Sequence, residues 1–271
     1  MSPASTRAAA SGDPWPEIDR LAAELAAREP HLRPLLEETV LRCATPGRIV
    51  GATLARRLAP GNDSSLEDLL TGCFDGDPGL LGLTESDLAA VTARDPACRD
   101  GLHALLNLKG FQALQSHRAA NSLWRRCRPG VAHWIAGQAA AALGVDIHPA
   151  VPFGAGVLID HGTGIVIGET AVVEDEVSIL HGVTLGSTGN ERGDRHPKIR
   201  RGAILGAGAK VLGNVEVGPM SRVGAGSVVV SAVPPYSTVV GVPARVVRTR
   251  LPDAACIRPA RPRRVAAQAL A

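Results

Sequence analysis

Asp146 and His161 stand fifteen residues apart, the first in Val145-Asp146-Ile147-His148-Pro149 and the second in Ile159-Asp160-His161-Gly162. An aspartate that accepts a hydrogen bond from one imidazole nitrogen fixes the tautomer and raises the basicity of the other nitrogen, as a general base acting on a hydroxyl requires. The same pair also fits a structural histidine satisfied by a neighbouring carboxylate. A second group is the polar run Gly193-Asp194-Arg195-His196-Pro197-Lys198. The planar guanidinium of Arg195 can grip a carboxylate bidentately, or it is a solvated loop charge. Arg94-Asp95-Pro96-Ala97 taken alone reads as a turn or helix boundary, and His148 and His181 read as corner residues.

A third kind of feature is backbone chemistry. Gly186 and Thr188 lie in Thr184-Leu185-Gly186-Ser187-Thr188-Gly189, and two further small-residue runs, Gly206-Ala207-Gly208-Ala209-Lys210 and Gly224-Ala225-Gly226-Ser227, follow. Small residues at corners leave N–H and C=O groups open to an extended ligand arm of the pantetheine type. Corners also need glycine for backbone reasons alone.

The elements that must position these residues come in two halves. Up to about residue 143 the apolar residues recur at helical spacing: Ile18, Leu21, Ala22 and Leu25, then Leu32, Leu35, Leu36 and Val40. Thr84 to Asp87 has capping-box spacing ahead of Leu88 and Val91 and predicts a helix start. From Ile147 the period becomes six. Aliphatic residues fall at Ile147, Ile159, Ile167, Val173, Ile179, Leu185, Ile199, Leu205, Val211, Val217, Val223 and Val229, with Phe153 in the remaining slot. Four residues after most of them comes a small or β-branched residue such as Val151, Thr163, Ala171 or Ala209. A hexad is one short strand plus a corner, three hexads make a triangular coil, and stacked coils make a parallel β-helix.

The count breaks twice, at Ile165-Val166 and at the excursion before Ile199, and such insertions are extruded from one face. The fold class expected is α+β: a disordered N-terminus at 1–14, a helical domain at 15–143, a left-handed β-helix at 144–248 with a loop at 190–198, and a basic flexible tail at 249–271. Wall-to-wall packing into a trimer is the natural association of a triangular prism.

Bulk properties narrow the classes further. The 271 residues include 30 glycines but only 3% aromatics, which suits close, regular backbone packing. A net charge of +3 does not call for nucleic acid, and no apolar run reaches the roughly 20 residues of a membrane span. The five cysteines show no metal-type spacing and read as free thiols of a reducing cytosol. The start lacks the charged and apolar regions of a signal peptide, so a cytoplasmic location is expected.

Together the segments resemble the bacterial-type serine O-acetyltransferases of cysteine biosynthesis. The similarity runs over roughly residues 15 to 248 and rests on Thr92 to Ala97, Leu108 to Gln115, Val145 to Pro149, Asp160 to Gly164, Gly168 to Ala171, Gly193 to Ile199 and Gly241 to Arg245. The resemblance implies transfer of acetyl from acetyl-CoA to the hydroxyl of L-serine, with no metal and with L-cysteine as feedback inhibitor at the serine site. It implies a homotrimer, usually paired into a hexamer, with the site between neighbouring copies. On this resemblance His161 is the general base and Asp146 its orienting partner. Asp95 and Asp160, with Pro96 adjacent, hold the ammonium of serine, while Arg195 and His196 hold its carboxylate. Ala207 and Ala225 line the CoA groove, and Lys210 and Arg245 meet its phosphates.

Two departures stand out. Ser187 occupies a position where the family commonly has glycine, a cost if that position needs a positive φ. Many members end in an isoleucine that enters the O-acetylserine sulfhydrylase; this chain ends in Gln268-Ala269-Leu270-Ala271, which weakens the expectation of that partner. Two other readings use the same scaffold: an acetyltransferase for homoserine, a sugar or a xenobiotic, and a β-helix carbonic anhydrase with zinc on His161, His181 and His196. The second leaves Asp95, Arg195 and the helical half without a task.

Overall fold

The computed structural model of the chain describes residues 12–61, 64–189 and 192–250. Most of the expected disordered start and nearly all of the expected tail, Ala271 included, lie outside the described residues.

Eight α-helices come first: α1 (Trp15–Arg28), α2 (Arg33–Leu36), α3 (Pro46–Leu58), α4 (Ser64–Asp75), α5 (Pro78–Arg94), α6 (Gly101–Asn107), α7 (Lys109–Arg125) and α8 (Pro129–Leu143), with a π-helical turn at Glu37–Leu41 after α2. None among the described residues is long and apolar enough to cross a membrane. The helix expected to start at Thr84 starts earlier. Asp77 caps α5, its carboxylate accepting from the amides of Gly79 and Leu80, with proline in the first turn, where its missing N–H costs nothing. Thr84 and Asp87 are instead buried mid-helix. Gly144, in the left-handed conformation at φ 68°, ends α8 and turns the chain into the first strand.

The strands form three walls. The first holds β1 (Val145–Ile147), β3 (Ile165–Ile167), β6 (Thr184–Gly186), β9 (Lys210–Leu212) and β12 (Val228–Val229). The second holds β4 (Val172–Val173), β7 (Lys198–Ile199) and β10 (Glu216–Val217), extended by bridges from Phe153 and Val233. The third holds β2 (Leu158–Asp160), β5 (Ser178–Leu180), β8 (Ile204–Leu205), β11 (Arg222–Val223) and β13 (Ser237–Gly241). All these pairs are parallel, as in a left-handed β-helix. A closing strand β14 (Ala244–Thr249) pairs antiparallel with β13, which the hexads do not foretell. The twelve aliphatic hexad residues are all buried along the axis, and Phe153 is partly buried.

The strand register locates the first insertion. Val145 pairs with Ile165 and Asp146 with Val166, so Ile165 and Val166 belong to a regular strand. One coil up, the amide of Gly182 bonds to the carbonyl of Thr163 and that of Val166 to Val183. Thr163 therefore stacks below His181, and buried Ile165 takes the inward slot expected for Thr163. The two extra residues are His161 and Gly162 themselves. Alternation of side chains along a strand forces this choice: an extra pair inside β3 would break a register that is intact.

Helices and prism are locked together at the lowest coil. Asp87 of α5 and Arg118 of α7 form a buried ion pair at 2.6 Å, and the Asp87 carboxylate also accepts from Gln115 and from the Val157 amide. Arg118 donates in turn to the carbonyl of Gly154. Gly110 of α7 sits so close to Ile159 that an added Cβ would lie 2.1 Å from its carbonyl oxygen.

Candidate active site

Where the third wall turns into the first, one corner repeats in every coil. Amide-to-carbonyl bonds run from Gly182 to Thr163, from Gly208 to His181 and from Gly226 to Ala207. Thr163, His181, Ala207 and Ala225 thus stack in a column, so the expected base and the expected CoA-lining residues share one edge. His161 protrudes from the foot of that column. Its backbone is left-handed, φ 57°, followed by Gly162 at 82° and Gly164 at 77°. A non-glycine residue rarely adopts such a φ, and such strain clusters at functional sites. The side chain is 73% exposed.

The acid beside the imidazole is Asp160, whose Oδ1 lies 3.6 Å from Nε2. The expected hydrogen bond from the His161 imidazole to Asp146 is not formed within the chain. Asp146 is exposed on β1, and the His161 ring lies by His181, 5.8 Å between ring centres. Lys109, at the start of α7, donates to the Thr163 hydroxyl and braces the corner from the helical side. Asp95 follows α5, half-buried, with Oδ1 accepting from the Ala97 amide at 2.8 Å and Pro96 exposed between them. Arg94 fixes that end of α5 to the prism through the Gly156 and Glu176 carbonyls and the Ser178 hydroxyl.

Arg195 and His196 lie at the other edge of the first wall. The excursion folds back on the corner Gly168-Glu169-Thr170. Arg195 pairs with Glu169 at 3.0 Å, and its hydrogen bond holds that carboxyl below the ordinary range. His196 is 6% exposed and its ring covers Gly168, where an added Cβ would meet Nε2 at 2.0 Å. Burial, reinforced by Arg195 and Lys198, lowers the basicity of this imidazole. Lys198 staples the loop through Asp194 at 2.5 Å and the Thr170 and His196 carbonyls. His148 is a corner residue, its Nδ1 accepting from the Ala150 amide.

Gly186 and Thr188 also lie on this loop edge, away from the column, the Gly186 carbonyl accepting from the Gly213 amide. Ser187 is not among the residues with positive φ, so serine carries no backbone penalty there. Lys210 is committed within the chain, its ammonium donating to the Gly182 carbonyl at 2.5 Å. Arg245 is exposed on β14.

Comparison with known proteins bears on this arrangement. A family model described as serine acetyltransferase, N-terminal, matches residues 15–116. The serine acetyltransferase of Haemophilus influenzae is 46% identical over 87% of this chain and 89% of its own length. The chain belongs to the serine acetyltransferase family. A crystal structure of a family member from Brucella abortus in complex with coenzyme A superposes with a TM-score of 0.84 at 43% identity, covering 87% of this chain and 96% of that one. The soybean enzyme complexed with serine gives 0.83 at 46% identity, over 86% and 97%.

Some participants escape a reading of the sequence. Glu169 and Thr170 lie in the family-like run Gly168 to Ala171, yet nothing in the spacing says that they hold the loop. Lys109 likewise lies in Leu108 to Gln115 without a visible task. His181 reads as a corner residue, and only the stacking of coils puts it beside His161. In a single chain His161 and His181 are neighbours while His196 stands at the opposite edge, and among the described residues no group of three or more histidine, cysteine, aspartate or glutamate side chains has metal-site geometry.

Proposed function

We propose that the chain transfers the acetyl group of acetyl-CoA to the hydroxyl of L-serine, giving O-acetyl-L-serine and CoA. The observation that carries this reading is the widened corner: an imidazole lifted out of the prism on a left-handed backbone, at the foot of a column of small residues. His161 takes the hydroxyl proton as the serine oxygen attacks the thioester carbonyl, and the collapsing intermediate releases the CoA thiolate, which leaves with that proton. Asp160 and Asp95 receive the ammonium of the substrate, with Pro96 shaping the turn; Arg195 and His196 receive its carboxylate. Asp146, on the wall that His161 faces, orients the imidazole in the assembled site. The open amides of Ala207 and Ala225 suit the pantetheine arm, with Gly186 and Thr188 on the next edge. Arg245, exposed on β14, and Lys210 are the candidate cations for a phosphate.

Base and carboxylate clamp stand at opposite edges of one wall, so a site containing both forms where the His161 edge of one prism meets the loop edge of another. The opposed edges favour a homotrimer; pairing of trimers through the helical domains and a cytoplasmic location belong to the same reading. L-Cysteine, nearly isosteric with serine, fits the same two clamps as an inhibitor.

Release of CoA, followed with a thiol reagent against serine, homoserine and sugar acceptors, tests the reading. Serine is expected to give by far the highest kcat/KM; a higher value for another hydroxyl acceptor would overturn it.

A further inference from the structure

His196 is held by a single residue on the neighbouring coil. The Thr170 amide donates to His196 Nδ1 at 3.2 Å, and the Thr170 hydroxyl lies 2.8 Å from the same nitrogen. An amide N–H can only donate, so Nδ1 carries no proton and the neutral ring must carry it on Nε2. The hydroxyl oxygen meanwhile accepts from the amides of Arg195 at 3.0 Å and His196 at 3.1 Å. With both acceptor sites taken, its own proton is free to donate to Nδ1. His196 Nε2 has no hydrogen-bond partner among the described residues.

We infer that Thr170 is a positioning residue, which locks His196 as a neutral Nε2–H donor and holds Arg195 beside it, so that the substrate carboxylate meets one cation and one directed neutral donor. The role rests on the serine reading above; the tautomer does not. Lys198, the cation two residues beyond His196, is withdrawn from the site, spending its ammonium on Asp194 and on two carbonyls. The burial that lowers the basicity of His196 acts in the same sense. A clamp built this way discriminates by direction as well as by charge, since the Nε2–H vector is set by two bonds on the far side of the ring.

The test uses the full-length chain with Thr170→Val and Thr170→Ser. Valine keeps the shape and the backbone amide but loses the hydroxyl; serine keeps both hydrogen-bonding groups. Solid-state ¹⁵N NMR of histidine-labelled sediment, with His196 assigned by its loss in His196→Gln, is expected to show Nδ1 bare and Nε2 protonated in the native chain. Thr170→Val is expected to disturb that signature and raise KM for serine by about tenfold or more, with KM for acetyl-CoA within about twofold; Thr170→Ser is expected to restore both. A protonated Nδ1 in the native chain overturns the inference, whether or not the valine variant assembles. So does a valine variant with native KM for serine. If the native chain shows the expected tautomer but does not acetylate serine, the serine reading fails and the tautomer assignment stands.

Discussion

The two edges that bound the first wall are built on opposite plans. At the His161 edge the backbone is left-handed and the side chain largely exposed, with an acid near it but no hydrogen bond of its own among the described residues. Its bracing comes from outside, from α7 through Lys109 and Gly110. At the loop edge, Arg195 and His196 are fixed by bonds made within the prism to Glu169 and Thr170. A proton carrier needs freedom to meet a hydroxyl, whereas a carboxylate clamp gains most from being set before the ligand arrives.

This contrast can be broken at several points. The largest effect is expected at the base. His161→Asn keeps a residue that tolerates the left-handed backbone, so the loss of turnover, about 10²–10⁴-fold, reports chemistry rather than corner strain; native turnover would remove His161 as the base. Next comes the outside brace. Arg118→Met leaves Asp87 buried without its ion pair and should cost about 3–5 kcal/mol of stability by denaturant unfolding. Below the unfolding transition, hydrogen exchange should rise at Thr163 and Gly164 before it rises at Arg195 and His196. A smaller loss is expected from Gly168→Ala. Its φ is ordinary, so the penalty is displacement of the His196 ring, seen as an increase in KM for serine of about tenfold with acetyl-CoA binding intact.

The effect least tied to the two edges is a pH dependence at the helix–prism boundary. His117 is buried, donating Nε2–H to the Val151 carbonyl, and burial drives its pKa from 6.5 down to about 3. Its contribution is fully present above the unfolded value and is lost as pH falls from about 6.5 toward 3, because only the unfolded chain can take the proton. The slope is up to about 1.4 kcal/mol per pH unit. His117→Gln should flatten the stability profile over that window, and an unchanged slope would assign it to other groups.

Much of the fold is legible in the hexads because the prism axis admits only aliphatic side chains, and a period of six sustained from Ile147 to Val229 has no other economical explanation. The placement of the first insertion is not legible. Counting hexads puts the extra pair at Ile165-Val166, since both look like strand residues, and only the register with β1 reveals that His161 and Gly162 are extruded. The same blindness to stacking hides His181 and makes Thr84 to Asp87 look like a cap when Asp87 is the buried dock for Arg118. Asp146 is a different case. Its spacing from His161 matches nearly one coil, but the coil there is two residues longer than the rest, and in the single chain the acid beside the imidazole is Asp160. For the site, residue types offer a candidate base and a candidate carboxylate clamp, while the hydrogen bonds that hold Arg195 and His196 come from Glu169 and Thr170, whose types carry no such signal.

Everything in the functional account turns on the two edges meeting between copies of the chain. Co-assembly of His161→Asn with Arg195→Ala tests this most directly, because each homo-oligomer lacks one half of every site. If base and clamp come from different copies, random co-assembly of an equimolar mixture regains about a quarter of native sites, about one site in three of each mixed trimer, and serine-dependent CoA release returns in proportion. Mixtures shown by mass to be co-assembled, yet no more active than the separate variants, would contradict the account.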